Sequence, residues 1–588
     1  MSTSPAPHGP SNQQISARLQ ELADLIKLEE GSPQAFRVRA HEKAASAIRD
    51  HAAQVAGMSP ADLQAIDGVG KSTADKIREL VDTGTIDQLE RLRAKYPSEF
   101  VELTRIPGLG PKTAIMLRDR LGIENVDQLR HAIAAEQLRD LPGLGARSEE
   151  KIARAIERMG LHGKERRTPI IRVLPVARDL VARLRELPEV SQVEYCGSLR
   201  RFRETIGDVD IVAASTHPRA VMDAFVSTGG VAEVLGTGDT KSSILTDTGL
   251  QVDLRVVAPE QFGAAVVYFT GSKQHNIELR QRAMAAGRLL NEYGLEDTES
   301  GEVLAAATEE EVYAALGMAV VPPEMREGLG EIELALRDEL PRLVTIEDMR
   351  GDLHVHSTWS GDGRSPLDDM IAAAARRGLE YVAMTEHGEN LVINGLSREE
   401  VQRQREEIAR LRDRHPGLTI LHGAELNIAP DGTVDYDDDF LAVFDWCVAS
   451  VHSHFDLPMA DQTARVVRAL ENPRVDAIGH LTGRRIGKRP GVELDVDAVF
   501  SAAADTGTAL EINSHLDRLD VPADLLRRAR EVPGVVFTIS TDSHHVAELA
   551  NMRWGVANAR RGWIDAERVV NTWPRDRFLE WVATRRSG

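Results

Sequence analysis

Cysteine is almost missing from this chain: Cys196 and Cys447 are the only two in 588 residues. Two thiols build no disulfide framework and offer no paired-cysteine zinc site, a pattern that suits a reducing, cytoplasmic setting. No apolar run reaches 18 residues, so no membrane-spanning helix is expected. The first ten residues contain Pro and Ser but no apolar h-region, which leaves no signal peptide and predicts a disordered tail over 1–10. Positive charge is also short: 71 Lys and Arg stand against 92 Asp and Glu, a net charge of −21. Taken as an average, that sign argues against nucleic-acid binding. The average hides a gradient, because residues 1–170 carry about +1, 171–350 about −12 and 351–588 about −10. The middle deficit falls almost wholly in the Glu-rich stretch 291–340. The first 290 residues are near neutral and leave room for a local basic face, with salt-sensitive affinity.

Hydrophobic residues at 42% and charged residues at 28% are ordinary for globular protein, and the length implies three or more domains. The most informative stretch is Cys196-Gly197-Ser198-Leu199-Arg200-Arg201 followed by Gly207-Asp208-Val209-Asp210. It predicts a Gly-Ser turn and then a strand on which Asp208 and Asp210 share a face. Paired carboxylates repel unless cations sit between them. A third acid, Asp253, lies on the similar apolar stretch Val252–Val257. Three carboxylates beside a Gly-Ser turn make a candidate two-metal phosphoryl-transfer site. The bland alternative is a turn with solvated acids; the turn, the arginines and the third acid together outweigh it.

These residues resemble the palm of family X DNA polymerases, the group that includes vertebrate DNA polymerase beta. Gly236–Lys241 is similar to that family's loop before the third-aspartate strand, and Tyr268-Phe269-Thr270-Gly271-Ser272 to its nucleotide-sugar segment. The resemblance implies that Gly197, Ser198, Arg201 and Gly207 contact the incoming triphosphate. It implies that Asp208, Asp210 and Asp253 hold Mg²⁺ or Mn²⁺, with Asp253 beside the primer 3′-hydroxyl. Backbone at Tyr268, Phe269 and Gly271 would crowd a ribose 2′-hydroxyl, Asn276 would contact the nucleotide, and Arg280 the template. Cys196 departs from the family's usual Gly, and Gln251 from an Arg.

Before the palm, Ile66-Asp67-Gly68-Val69-Gly70, Ile106-Pro107-Gly108-Leu109-Gly110 and Leu141-Pro142-Gly143-Leu144-Gly145 recur at offsets of 40 and 35 residues. Helices are expected after each, over Lys71–Leu80, Pro111–Leu121 and Ala146–Met159. A Gly-x-Gly turn into a helix exposes backbone N–H groups at the positive end of the dipole, where a phosphate can sit without base readout. A single copy would be a simple helix cap; three copies favour DNA-backbone binding. The pattern resembles the helix-hairpin-helix motif. Helical spacing is also clear over Ile15–Leu28. The first 100 residues resemble the small domain of beta-type enzymes, which places Lys76 at the Schiff-base lysine of abasic-sugar cleavage and Ser72 at a second, phosphate-binding lysine.

Eleven of the 18 histidines follow residue 350, in segments that end apolar runs alternating with helical stretches such as Leu367–Arg377 and Arg398–Arg414. Repeating β/α units gather an active site at the carboxyl ends of their strands. Singly, each histidine reads as structural; the ensemble does not. It resembles the PHP (polymerase and histidinol phosphatase) domain, a distorted barrel. The resemblance implies His354, His356, Asp362, His387, Glu425, His452, His480, Asp542 and His544 as ligands for up to three Mn²⁺ or Zn²⁺. His422, His454, His515 and His545 are left as structural or supporting residues, and Glu386 stands where an Asp is usual.

The expected fold class is multidomain, α and α/β. It comprises an N-terminal helical domain over 11–95, helix-hairpin-helix fingers over 96–168, a nucleotidyltransferase α+β palm over 169–288 and a thumb over 289–328. A linker over 329–350 leads to the barrel over 351–575. The expected activity is DNA-directed DNA polymerisation for short-gap filling in repair, with metal-dependent hydrolysis at DNA 3′ ends by the barrel. Expected partners are gapped or nicked DNA and dNTPs; the protein is expected to be a cytoplasmic, nucleoid-associated monomer without membrane contact. Two alternatives are a phosphoesterase or abasic-site nuclease with weak polymerase, and a non-enzymatic DNA-end scaffold.

Overall fold

The computed structural model describes residues 10, 12–30, 36–51, 55–66, 68–104, 106, 109–139, 141–150, 152–153, 167–391 and 393–587. The expected tail over 1–9, the motif residues Asp67, Pro107 and Gly108, and the end of the third expected helix at Met159 lie outside these residues. Two compact units emerge. One is Met1–Arg166 with Leu245–Gln251 and Asn276–Leu290; the other is Arg167–Ile244 with Val252–His275 and Asn291–Gly588. Among the described residues no helix is long and apolar enough to cross a membrane.

The N-terminal part of the first unit is helical. The stretch expected over Ile15–Leu28 is the helix Asn12–Glu30, and Leu19, Leu22, Leu25 and Ile26 all point inward, as a 3.6-residue period requires. Helices Lys71–Thr83 and Pro111–Leu121 each begin directly after a Gly-x-Gly. One continuous set of buried side chains joins Leu22 and Ile48 to Ile77, Leu117 and Leu129. The regions on either side of residue 95 therefore share a core.

The second unit opens on a five-stranded sheet made of β1 (Gln192–Tyr195), β2 (Val209–Ala214), β3 (Val231–Thr237), β4 (Lys241–Thr246) and β5 (Gln251–Val257). The strand order is β1-β2-β5-β4-β3. Strands β2 and β5 run parallel, and the helix Phe262–Thr270 buries Ala264, Ala265, Val266 and Val267. The segment expected as a linker is tied to the barrel, since Val344 N–H donates to the Ile564 carbonyl at 3.1 Å.

Seven parallel strands follow in chain order: β6 (Gly351–Val355), β7 (Tyr381–His387), β8 (Thr419–Asn427), β9 (Trp446–Ser450), β10 (Ala477–Gly479), β11 (Ala509–Asn513) and β12 (Phe537–Ser540). A parallel bridge between Val355 and Ser543 brings the first strand back to the last and nearly closes a barrel. Helices such as Leu367–Arg376 and Arg398–Arg414 alternate with the strands, as the β/α reading requires. Nearly every strand residue is buried, the mark of a parallel sheet covered on both faces.

The amino end of the barrel is plugged by aromatic rings. Phe578, on the helix Arg575–Ser587, stacks on Tyr381 with ring centroids 4.5 Å apart and planes 3° from parallel. Gly351 is required beside this plug, since a Cβ there would lie 2.2 Å from the Tyr381 ring. The same helix supplies Arg585, 2.7 Å from Asp476, and Arg586, which also pairs with that carboxylate. Asp476 has no solvent exposure and accepts the Cys447 N–H at 2.8 Å. Replacing it leaves two guanidiniums without a counter-ion in the interior. Asp476→Ala is expected to destabilise the barrel by about 3–5 kcal/mol, read as a lower denaturation midpoint in urea.

Candidate functional site

Two clusters of acids and imidazoles stand out, one in the sheet and one in the barrel. In the sheet, Asp210 on β2 pairs in register with Asp253 on the parallel neighbour β5, and Asp208 directly precedes β2. The Gly-Ser turn is a four-residue helix, Gly197–Arg200, pinned to β2 by the Cys196 N–H donating to the Asp210 carbonyl at 2.7 Å. Gly197 has φ of +62°, and a Cβ there would lie 2.6 Å from Asp210 Oδ2. Glycine is thus demanded twice, by conformation and by close approach. Burial first, then the charges of Asp208 and Asp253, push the Asp210 pKa up to about 7. Three carboxylates gathered this closely form a donor set suited to a divalent cation. Lys241 Nζ lies 3.4 Å from Asp253. Cys196 is buried against Val212, Val257 and Ala265, so its departure from glycine serves the core.

Arg200 is bidentate to Glu309 at 2.9 and 2.6 Å, and Arg326 reaches the same carboxylate at 2.6 Å. Beside them Arg201 donates to the Thr270 carbonyl and to Glu327 at 3.2 Å. Tyr268 and Phe269 end the helix Phe262–Thr270 with their rings edge-on, and Gly271 follows at φ of +66°. Ser198 lies within the Gly-Ser turn and Gly207 just before the acids. Asn276 and Arg280 sit on the helix Lys273–Ala285, in the part that belongs to the first unit.

In the barrel all nine expected residues converge at the carboxyl ends of the strands. Glu425, at the end of β8, is the hub: His387 Nδ1 lies at 2.9 Å, His480 Nε2 at 2.9 Å, His452 Nε2 at 3.1 Å, His354 Nε2 at 3.4 Å and His356 Nε2 at 3.6 Å. Asp542 is 3.4 Å from His356 and 3.7 Å from His354. Asp362 is 3.3 Å from His387 and 3.4 Å from His544, and accepts from Asn394 at 3.0 Å. It closes the rim from the turn Ser360–Gly363.

Three overlapping groups bring ligand atoms within 4.8 Å of one another: His356, His387 and His544; His354, His356 and Asp542; His387, Glu425 and His452. Yet His354 Nε2, His356 Nε2 and His387 Nδ1 are buried without a hydrogen bond among the described residues. Ring nitrogens that face carboxylates without a proton aimed between them fit cation ligands, since an orphaned buried polar atom is otherwise costly. Burial opposes ionisation of Glu425, but His452, His354 and His387 hold its pKa well below the carboxylate range. Burial, then His544, lowers His356 to about 3, leaving the imidazole neutral and free to coordinate.

Supporting residues went unread in the sequence. Glu511 on β11 accepts from His354 Nδ1 at 2.6 Å and from the His480 N–H at 2.7 Å. Asn427 meets His452 Nδ1 at 2.7 Å. Such partners fix which ring nitrogen faces the centre. Glu511 carried a signal, being a lone acid inside the apolar run Ala509–Asn513. Arg485, Arg489 and Arg518 line the cavity over the cluster, about 440 Å³ in volume, together with His515 and Phe455. Of the other extra histidines, His422 is buried with its ring 5.0 Å from Phe444, and both its nitrogens lack a hydrogen bond among the described residues. Glu386 ties down the turn after β6, accepting from Ser357 Oγ at 2.6 Å and Ser360 Oγ at 2.7 Å.

In the first unit the two glycines of the first and third repeats differ. Gly68 and Gly143 have φ of +95° and +82°, whereas Gly70, Gly110 and Gly145 lie outside the left-handed region. A Cβ on any of the latter three would meet nothing within 4 Å. The turn thus needs a positive φ at its first glycine, in Gly68 and Gly143, and leaves open space at the second. Gly108 lies outside the described residues. Lys76 donates to Ser72 Oγ at 3.2 Å, which puts the two expected small-domain residues side by side one helical turn apart.

Comparison with known proteins matches four parts of the chain to family models. Residues 10–86 match the helix-hairpin-helix domain and 100–158 the SAM-like helix-hairpin-helix tandem. Residues 265–327 match the DNA polymerase beta thumb, and 352–515 the PHP domain. The chain is 38% identical over 557 residues to the DNA polymerase/3′-5′ exonuclease PolX of Bacillus subtilis (strain 168), covering 94% of this chain and 96% of the relative. The barrel region alone is similar to probable phosphatases. One, from Syntrophotalea carbinolica, is 38% identical over 166 residues (28% of this chain, 65% of the relative). Another, from Shewanella sediminis, is 30% identical over 231 residues (38% and 89%). The chain belongs to the family X DNA polymerases that carry a PHP domain.

Titrating metal-stripped protein with a divalent cation is expected to raise the melting temperature of the barrel. Linkage gives about 2.7 kcal/mol at a hundredfold excess over Kd. Glu425→Gln, which keeps shape and removes the hub charge, should shrink that shift, as read by calorimetry.

Proposed function

We propose that this protein extends DNA 3′ ends in its palm and hydrolyses them in its barrel, with short gaps in damaged duplexes as the working substrate. The observation that carries the reading is the pairing of two separate ligand clusters on one chain: three carboxylates beside the Gly-Ser turn, and a Glu425-centred imidazole set with orphaned ring nitrogens. Divalent cations supply the Lewis acidity at both. Mg²⁺ or Mn²⁺ would be held by Asp208, Asp210 and Asp253, and up to three Mn²⁺ or Zn²⁺ by the nine barrel residues.

The chain's own groups do the rest. Ser198 and Arg201 bind the triphosphate of a dNTP, and Asp253 orients the attacking 3′-hydroxyl. Backbone at Tyr268–Gly271 excludes a ribose 2′-hydroxyl, Asn276 contacts the nucleotide and Arg280 the template. In the barrel, Glu511 and Asn427 orient His354 and His452, while Arg485 and Arg518 offer cationic contacts for a phosphodiester. A cavity of about 440 Å³ suits one terminal nucleotide better than a duplex. The likeness of the barrel to probable phosphatases supports 3′-phosphate ends as a second substrate.

A labelled gapped duplex, incubated with and without dNTPs, separates the two activities. Asp208→Ala and Asp253→Ala should each abolish extension and leave shortening. His354→Ala and Asp542→Ala should abolish shortening and leave extension, because the two sites share no residue. Undiminished extension by Asp253→Ala would remove the palm assignment.

The Gly-x-Gly turns act as non-specific clamps on the DNA backbone. Gly110→Val and Gly145→Val are expected to weaken binding to gapped duplex about equally across sequences, measured by fluorescence anisotropy. The melting temperature should change by less than the binding does, because a Cβ at either position meets no protein atom within 4 Å. A sequence-dependent loss would contradict a phosphate contact.

A further inference from the structure

The barrel reaches the polymerase site at Glu327 and at the main chain of Arg201. Glu327 Oε1 accepts from Arg201 Nε at 3.2 Å and from Arg561 Nη1 at 3.0 Å, and Arg203 approaches Glu327 Oε2 at 3.4 Å. Arg561 ends the barrel helix Met552–Arg561 and also donates to the main-chain carbonyl of Arg201. The side chains of Arg201, Arg561 and Glu327 are only 12%, 12% and 14% exposed, so the pairing is weakly screened by solvent. The helix is docked independently of this contact. Trp554 stacks on Phe202 at 5.8 Å, and Arg560 is bidentate to Glu324 at 2.8 and 3.3 Å.

Three guanidiniums converge on one carboxylate, which leaves about two positive charges for another anion. Glu327 and an incoming triphosphate compete for Arg201. A carboxylate held by Arg201 alone would oppose nucleotide binding twice, by occupying the donor and by repelling the phosphates. Arg561 relieves both effects by holding Glu327 from the other side and offsetting its charge.

We propose that Arg561, contributed by the barrel, is a positioning residue of the polymerase site. It shares Glu327 with Arg201 and offsets the charge of that carboxylate, so that this arginine can exchange Glu327 for the dNTP triphosphate. The barrel therefore tunes nucleotide affinity in the palm as well as carrying its own chemistry. The inference rests on the reading of Arg201 as a triphosphate ligand.

Steady-state gap filling by the full chain tests it. Arg561→Ala is expected to raise KM for dNTP about tenfold with kcat nearly unchanged, while hydrolysis of single-stranded 3′ ends stays at the wild-type rate. Arg561→Lys should recover part of the loss. Glu327→Gln should lower KM, and the double variant Arg561→Ala/Glu327→Gln should return to the Glu327→Gln value, since Arg561 acts through that carboxylate. Arg560→Ala, which loosens the same helix at Glu324, should leave KM within about twofold. If Arg201→Ala raises KM and Arg561→Ala does not, the inference is overturned. It is equally overturned if the double variant stays as impaired as Arg561→Ala, or if Arg560→Ala matches it. If Arg201→Ala itself leaves KM unchanged, the palm reading fails instead. Should Arg561→Ala not fold, the Arg561→Lys and Glu327→Gln values still decide.

Discussion

Parallel strands held in register set both sites. Neighbouring strands lie about 4.8 Å apart, and paired residues point to the same side. Asp210 faces Asp253 across one such pair, and His387 faces Glu425 across another. A one-residue slip in either register would turn one partner to the opposite face and dissolve the cluster. The buried apolar residues on either side, such as Ile211 with Leu254 and Val382 with Ile420, hold the register. The core therefore sets the ligand geometry as well as the stability.

That constraint also explains the electrostatics. Acids and imidazoles forced together on a rigid framework cannot move apart to relax. In the sheet the strain surfaces as the raised Asp210 carboxyl, and in the barrel as ring nitrogens that face carboxylates without a shared proton. Both describe a framework completed by cations. The supporting groups follow the same logic. Glu511 and Asn427 use the far nitrogen of an imidazole to aim the near one, and Glu309 binds Arg200 and Arg326 so that the Gly-Ser turn cannot drift.

What could be read from sequence was whatever the backbone period encodes locally. Asp208-Val209-Asp210, the Gly-x-Gly repeats and the histidines that end apolar runs all carry their spacing with them, and the barrel brings all nine expected residues together. Pairings between distant segments have no local pattern. Nothing near Arg561 announces Glu327, 234 residues away, and nothing near Asp476 announces Arg585 and Arg586. The glycines mark a finer limit. Sequence treats Gly68 and Gly70 alike, but only backbone angles show that the first is held by conformation and the second by open space.

The aromatic plug gives the barrel a particular order of assembly. Its first strand closes against Ser543, and its floor is sealed only by Phe578, Arg585 and Arg586. On a ribosome, the N-terminal helices and the strands of the five-stranded sheet are made long before residues 575–587 emerge. The imidazole cluster must wait for them, with Asp476 lacking its counter-ions until that helix arrives. During synthesis the chain thus passes through a stage in which the palm strands are paired while the floor of the barrel is still open.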